Sequence, residues 1–507
     1  MSDENLSVEV TQTAPAKSVA KNYIYNMIYQ VFLVIVPLLT TPYIARAIGV
    51  DGSGYFSYAS SIVSYFTLFA ALGFGYYAQR LIASHSGDKH QQTIDFWEIF
   101  VARLIPTAIA LAVYFVLFAF NIYNDTYKLL MLILSINVLA VAFDVSYLLQ
   151  GNEEFGKLVL RNIFIKVLSI ACIFIFVKRP EHLWIYTLIN AGSTFVSNLA
   201  LWAYLPKMLT RVSIKEIKCM KHLPATLLLF IPTIAVSIYT TLDKTLIGAI
   251  TQTASENGNY EYAERIVRLT LTVVTALGLV LVPRNTKFFA EGKRDDAISN
   301  IYLGIRFVFL LGMPIMLGLI AVADNFSPWF FSEEYTKVAL LIKLLSPIVV
   351  IIGLSNVLGL QFLIPSGQDK KFTLAIIAGA ITNFVLNCIL IYFFKSEGAA
   401  IATIIAEGCV TAVMYTFVRK DLKIRKILNE AWKYIVASII MFIPCYILNR
   451  ILNPSILNTI IIVAVGVAVY APLLLLLKDD FVLSILKRIF RHKRAQEDEG
   501  NKMPLSK

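Results

Sequence analysis

Apolar runs of about 20 residues, parted by short polar joints, recur along the chain from residue 22 to residue 477. A helix of that length crosses roughly 30 Å of hydrocarbon, so each run predicts a membrane span. Fourteen spans are expected, near 22–47, 54–80, 94–120, 127–149, 158–177, 182–204, 223–249, 259–283, 302–323, 337–364, 372–394, 398–418, 432–449 and 456–477. The alternating apolar–polar pattern of barrel strands is absent from the sequence. The pattern therefore predicts an all-α polytopic membrane protein.

An internal repeat orders these spans. "GYFSYASSIV" (Gly54–Val63) and "GNYEYAERIV" (Gly258–Val267) share G-x-x-x-Y-A-x-x-I-V. "QGNEEF" (Gln150–Phe155) matches "SGQDKKF" (Ser366–Phe372), and "INAG" (Ile189–Gly192) matches "IAEG" (Ile405–Gly408). Six spans separate each pair, an even number, so the halves keep one orientation. Two six-helix bundles related by a pseudo-two-fold axis along the membrane normal follow, with two further carboxy-terminal helices. The expected boundaries are a disordered cytoplasmic tail at 1–20, an amino-terminal lobe at 21–210 and an amphipathic cytoplasmic linker at 211–222. A second lobe at 223–420, helices 13 and 14 at 421–480 and a basic cytoplasmic tail at 481–507 complete the chain.

Composition agrees with this reading. The 507 residues are 58% hydrophobic and 15% charged, more apolar surface than a soluble fold of this size hides. The first residues, "MSDENLSVEVTQTAPAKS", hold no apolar signal-peptide core. The net charge of +12 resides largely in alternate loops: Lys207 to Lys221, Arg419 to Lys426 and Lys487 to Arg494. Segments 250–258 and 324–336 hold no Lys or Arg. The positive-inside rule puts both termini in the cytoplasm and removes any need for a nucleic acid partner. The basic loops are partly amphipathic, so they are expected on the lipid surface of the inner leaflet. The five cysteines have no ligand-like spacing and read as small apolar residues.

Ionisable residues inside the spans are the informative exceptions, since each costs roughly 2.5–3.5 kcal/mol at mid-bilayer. The cations are Arg46, Arg103, Arg161, Lys166, Lys244, Arg265, Arg268 and Arg306; the acids are Asp144, Asp243, Glu261, Glu264 and Glu407. The excess of cations suits an anionic substrate. Arg46, Arg103, Lys166, Lys244, Arg265, Arg268 and Arg306 are thus candidate substrate-binding residues. In "GNYEYAERIVRLTLTVVTALGLVLVPR", Arg265, Arg268, Thr272 and Thr275 form one helical stripe. That stripe reads either as a rail for phosphate, which Arg binds bidentately, or as one half of i,i+4 pairs with Glu261 and Glu264. Asp243 and Lys244 point about 100° apart, so they face different partners. Helix breakers Pro37, Pro42, Pro232, Pro314 and Pro347 mark places where spans bend.

Enzyme signatures are missing. "GNEEFGKL" (Gly151–Leu158) approaches a phosphate loop, but Leu158 stands where Ser or Thr is required, and the stretch joins two spans. No metal-ligand cluster appears, and no outer loop is long enough for a glycosyl-transfer site.

Five stretches carry a family resemblance: "PLLTTPYIARAIGVDGSGYFSYASSIVSYFTLFAALGFGYYAQR", "LLQGNEEFGKLVLRNIFIKVLSI", "SIYTTLDKTLIGAITQTASENGNYEYAERIVRL", "LVPR" and "LIPSGQDKKFTLAIIAGAITNFVLN". In this order they resemble the Wzx-type polysaccharide flippases, of the superfamily that includes multidrug-and-toxin extrusion transporters and lipid II flippases. The resemblance spans about 20 to 475. It implies translocation of undecaprenyl-pyrophosphate-linked oligosaccharide units across the bacterial cytoplasmic membrane, for capsule, O-antigen or exopolysaccharide. It further implies alternating access, a cationic cavity between the lobes, and no cofactor. Proton or sodium coupling is implied for the superfamily, with Asp144, Asp243 and Glu407 as the carboxylates available. A polysaccharide polymerase and a chain-length regulator are the implied partners. The alternatives are a flippase for lipid II or another polyprenyl-linked precursor, and a multidrug antiporter.

Overall fold

The computed structural model describes residues 16–119 and 125–483. Most of the expected amino-terminal tail, and the basic tail from 484 onward, lie outside the described residues. Those residues form helices α1 (Ala16–Ala71), α2 (Phe74–Ser84), α3 (Lys89–Ala119), α4 (Asp125–Ala142), α5 (Ser146–Gly151), α6 (Phe155–Phe176), α7 (Leu183–Ala200), α8 (Leu205–Met208) and α9 (Leu223–Thr251). They continue with α10 (Ala254–Thr275), α11 (Gly278–Ala290), α12 (Arg294–Phe330), α13 (Val338–Leu345), α14 (Ile348–Leu358), α15 (Asp369–Val418), α16 (Ile424–Ile451) and α17 (Ile456–Leu476). Among the described residues there is no strand, and nine helices are long and apolar enough to cross a bilayer, or ten if α10 and α11 form one bent span.

Each of the expected spans falls largely on helix, but α1 runs from the first span into the second, and α15 holds two spans. In α1 the break is Gly49, at φ 69°, a left-handed conformation that glycine adopts without a Cβ clash. In α15 the break is Lys395, at φ 51°. The lysine follows "IYFF", so the chain turns where the apolar run ends.

The chain packs as two units. The first comprises residues up to 49 and 59–237; the second comprises 50–58 and 238 onward. The change falls inside α9, so the expected linker 211–222 lies within the first unit.

The first unit is centred on Phe74, Ile82, Phe96, Ile99, Tyr147 and Leu201, all buried. Its polar seam fastens the linker to α3. Glu98 accepts from the backbone N–H of Lys218 at 2.7 Å and pairs with Lys221 at 2.6 Å. Glu98 also lies 2.8 Å from Nε2 of the buried His222, whose Nδ1 meets the Tyr77 hydroxyl at 2.7 Å. Just before the linker, Thr93 Oγ1 accepts from the Thr210 N–H at 3.0 Å. The linker is therefore tied down at Lys218, Lys221 and His222.

The second unit contains residues 50–58 of α1, and glycine explains how they fit. A Cβ built on Gly54 falls 1.7 Å from the carbonyl oxygen of Ala254; one built on Gly258 falls 2.2 Å from that of Val50. These are the two glycines matched in the repeat. Residue 54 meets 254 while 258 meets 50, so the contact is reciprocal at one offset. Only bare backbone permits so close a helix crossing. Ser53 Oγ reaches the hydroxyls of Tyr262 and Tyr335 at 3.1 and 2.9 Å, and the Tyr58 ring packs on Gly248. Elsewhere in this unit α12, α16 and α17 share a core of Ala321, Met441, Cys445 and Ile462.

Gly192 and Gly408, another matched pair of glycines, face open space. Gly54→Ala and Gly258→Ala are expected to lower the melting temperature of the detergent-purified protein, each by an overpacking cost of about 1–3 kcal/mol. Gly192→Ala and Gly408→Ala should leave it unchanged or raised, because alanine is the better helix former. Equal melting temperatures for all four would refute the close crossing.

Candidate functional site

Among the described residues, the largest cluster of linked ion pairs lies where α9 meets α10, inside the second unit. Lys244 on α9 sends Nζ to Glu261 Oε2 at 2.6 Å and to Glu264 Oε2 at 3.1 Å. From the next turn of α10, Arg265 Nη2 meets Glu261 Oε1 at 2.5 Å, and Arg268 Nε meets Glu264 Oε1 at 2.6 Å. Ser57 donates a further bond to Glu261 at 3.1 Å. The i,i+4 spacing of α10 produces the Arg–Glu pairs, and α9 supplies the lysine that joins them. In these ion pairs three cations face two carboxylates, and Glu407 adds a third carboxylate that acts on Arg268. Glu264 is buried, whereas the Arg268 side chain is 36% exposed. Its guanidinium uses Nε toward Glu264 and makes no other hydrogen bond among the described residues.

Asp243, the neighbour of Lys244, occupies a separate pocket of neutral donors. Tyr260 Oη and Thr403 Oγ1 donate to Oδ2 at 2.6 and 2.8 Å. Asn383 Nδ2 and Asn387 Nδ2 donate to Oδ1 at 3.1 and 2.6 Å. Asp243 is 4% exposed, and among the described residues no cation pairs with it. The adjacent Asn387 Oδ1 is buried without a hydrogen-bond partner. A carboxylate beside amide, hydroxyl and phenol oxygens is an oxygen-rich set of the kind hard cations take. The same carboxylate is equally a proton acceptor. Glu407 is buried on α15, close enough to act electrostatically on Arg268.

The remaining candidates separate. Arg306 bridges Glu430 at 3.1 Å and Asp479 at 3.2 Å, and Tyr434 also donates to Asp479. That arginine ties α12 to α16 and to the end of α17. In the first unit Arg103 is buried and donates to the backbone carbonyls of Asp144 and Val141. It lies over the Tyr147 and Phe74 rings, so it caps the carbonyl end of α4, where the helix dipole favours a cation. The sequence marks Arg103 and Arg306 as cavity cations; the structure commits both to intramolecular partners, because each sits at a helix junction with oxygen acceptors in reach. Arg46 is exposed on α1, and Lys166 on α6 is half-buried beside a cavity of about 240 Å³. Asp144 follows α4 and accepts from the Ser146 N–H at 3.0 Å.

Sequence reasoning missed the neutral ligands of Asp243. The signal was present: Asn383 and Asn387 stand at i,i+4 in the apolar run of α15, and amides so placed need an internal partner.

The long apolar helices, with ion clusters buried among them, are those of a multi-pass membrane protein. The chain belongs to the polysaccharide biosynthesis protein family, whose profile matches residues 19–289, more than half of its length. It is 25% identical over 409 residues to an Escherichia coli K12 protein named "Putative O-antigen transporter", covering 80% of this chain and 97% of that one. A Haloferax volcanii protein named "Probable low-salt glycan biosynthesis flippase Agl15" is 27% identical over 209 residues, 40% of this chain and 43% of its own. Among solved structures, lipid II flippase MurJ in an inward closed conformation superposes with a TM-score of 0.65 at 15% identity, covering 89% of this chain and 100% of that one. An inward-facing MATE family multidrug transporter gives 0.59 at 15% identity, covering 77% and 95%. These likenesses show the fold. The protein is a transporter of the polysaccharide biosynthesis family and not an enzyme.

Lys244 serves two carboxylates, the buried Glu264 and the half-buried Glu261, whereas Arg268 serves one and is partly exposed. Lys244→Met should therefore destabilise by about 3–5 kcal/mol, the cost of stranding buried charge. Arg268→Ala should cost about 0–1 kcal/mol. Melting curves of the purified variants check the order; equal losses would mean that Lys244 does not join the two pairs.

Proposed function

We propose that this transporter is a flippase for undecaprenyl-pyrophosphate-linked oligosaccharide units, moving them from the inner to the outer leaflet of a bacterial cytoplasmic membrane by alternating access. The exported unit feeds a capsule, O-antigen or exopolysaccharide. The relatives named for O-antigen transport and glycan flipping support the substrate class. The observation that carries the reading is the group of three cations at α9 and α10. Arg268, the most exposed of them, is available to a phosphate oxygen. Lys244, Arg265 and Arg268 are the headgroup residues in this reading, with Arg46 and Lys166 as further cations of the path.

Asp243 is the coupling residue in the same reading. Its oxygen-lined pocket accepts sodium or a proton as cargo moving down its gradient. The loop charges support cytoplasmic termini. A polymerase and a chain-length regulator would receive the product outside. Lipid II is the second reading, favoured by a Bacillus subtilis relative named "Lipid II flippase MurJ", 24% identical over 160 residues.

A strain lacking the protein should accumulate one polyprenyl-pyrophosphate oligosaccharide, seen by lipid mass spectrometry, and lose a surface polysaccharide. Arg268→Ala should reproduce that loss while inserting at the normal level. An unaltered lipid pool with an intact coat would refute the reading; accumulation of a peptidoglycan precursor would transfer it to lipid II. For coupling, replacing choline chloride with sodium chloride should raise the melting temperature of the wild type and not of Asp243→Asn. A shift that follows pH alone identifies the proton, and no shift with either sinks the role of Asp243.

A further inference from the structure

The first unit contains a cavity of about 400 Å³ between the latter half of α1, the end of α4, and α7. Its size is within the roughly 300–1,000 Å³ of ligand clefts. The polar atoms lining it share one property: most of the donors are already used. Ser64 Oγ donates to the Ser61 carbonyl at 2.6 Å, and Thr67 Oγ1 to that of Ser64 at 2.8 Å. Thr194 Oγ1 donates to the Asn190 carbonyl at 3.1 Å, and Asn198 Nδ2 to that of Ala140 at 2.8 Å. What these side chains still offer is acceptor oxygen.

Three further groups keep unused hydrogen-bonding capacity, with the Ser60 hydroxyl free both to donate and to accept. Asn137 Oδ1 is buried and accepts no bond. Ser60 Oγ is buried with neither a donor nor an acceptor bonded to it. Asp144 uses one carboxylate oxygen on the Ser146 N–H and keeps the other. Among the described residues, no Lys or Arg lines the cavity.

Such a wall is wrong for phosphate, which the Asp144 carboxylate repels and which no cation in the lining offsets. It is wrong for a lipid tail, which would strand the buried oxygens at about 1–3 kcal/mol each. It fits a ligand that presents several O–H donors along with apolar C–H faces. Val63, Ala71 and Val141, which share the lining, suit those faces. A pyranose has both.

The neighbouring cavity supplies the complement. At about 240 Å³, it is lined by Lys166, Asn162 and Tyr29, and it shares Thr194 and Asn198 with the first. At its edge Arg161 Nη1 donates to the Ser197 hydroxyl at 2.7 Å. A cation-bearing compartment thus adjoins an acceptor-lined one, which is the order of charge along a sugar phosphate.

We propose that the cavity of Ser60, Asn137 and Asp144 is a carbohydrate subsite, binding hydroxyls of the glycan carried on the lipid. The assignment rests on the flippase reading above. It separates selectivity for sugar, located on α1, α4 and α7, from charge recognition of the pyrophosphate.

The test is a competition on the purified full-length protein, read by native mass spectrometry. The probes are the polyprenyl-pyrophosphate oligosaccharides extracted from the parent strain and bare undecaprenyl pyrophosphate. The wild type should retain the glycosylated lipid about tenfold over the bare one, as expected for one or two net hydrogen bonds. The double variant Ser60→Ala with Asn137→Leu should bring the ratio to about one. Ser60→Thr, which keeps the hydroxyl, should preserve it. An undiminished ratio in the double variant overturns the subsite, and so does a collapse in Ser60→Thr, which would indicate packing. If sodium chloride stabilises the wild type but not the double variant while the ratio stands, the cavity is a cation site and the proposal fails. Failure of the wild type to retain either lipid would instead refute the flippase reading on which the assignment depends.

Discussion

A charge within hydrocarbon must find its counter-charge or its hydrogen bonds inside the protein, and the interior of this transporter is organised by that requirement. Lys244 lies between Glu261 and Glu264, which hold Arg265 and Arg268 in turn. The five groups make one object through Lys244, whose removal would leave each carboxylate with a single counter-charge. One carboxylate, Asp243, is solvated differently, by two amides, a hydroxyl and a phenol. Neighbouring residues on one helix therefore serve two purposes. Lys244 belongs to an ion-pair network, while Asp243 has no cation of its own among the described residues. That contrast follows from the turn of about 100° between successive residues.

Packing brings these groups together through small residues. Segment 50–58 of α1 reaches α10 because Gly54 and Gly258 present bare backbone. The approach lets Ser57 reach Glu261 and Ser53 reach the two tyrosines. A single methyl group at either glycine would open the crossing and loosen the hydrogen bonds beside the ion network. The polar cluster and the glycine crossing are thus one packing solution.

The helical membrane architecture was legible in the sequence, because apolar runs of membrane length have few other readings. The Arg–Glu pairs of α10 were legible as one of two alternatives, since i,i+4 spacing brings such side chains together wherever the helix lies. Arg103 and Arg306 were not legible. Their fates depend on the carbonyl end of α4 and on Glu430 and Asp479, all 38 or more residues away in sequence. Periodicity along one helix carries no information about which distant helix lies against it. The ligands of Asp243 were half legible: a pair of asparagines in an apolar run announces a partner without naming it.

The glycine crossing also limits substitution. Residue 54 touches 254 and residue 258 touches 50, so the two glycines guard one joint from its two sides. A side chain on either helix would meet a carbonyl oxygen of the other, and leaving the second glycine bare gives no relief. The joint therefore asks for two glycine codons at once, where a looser crossing would ask for none.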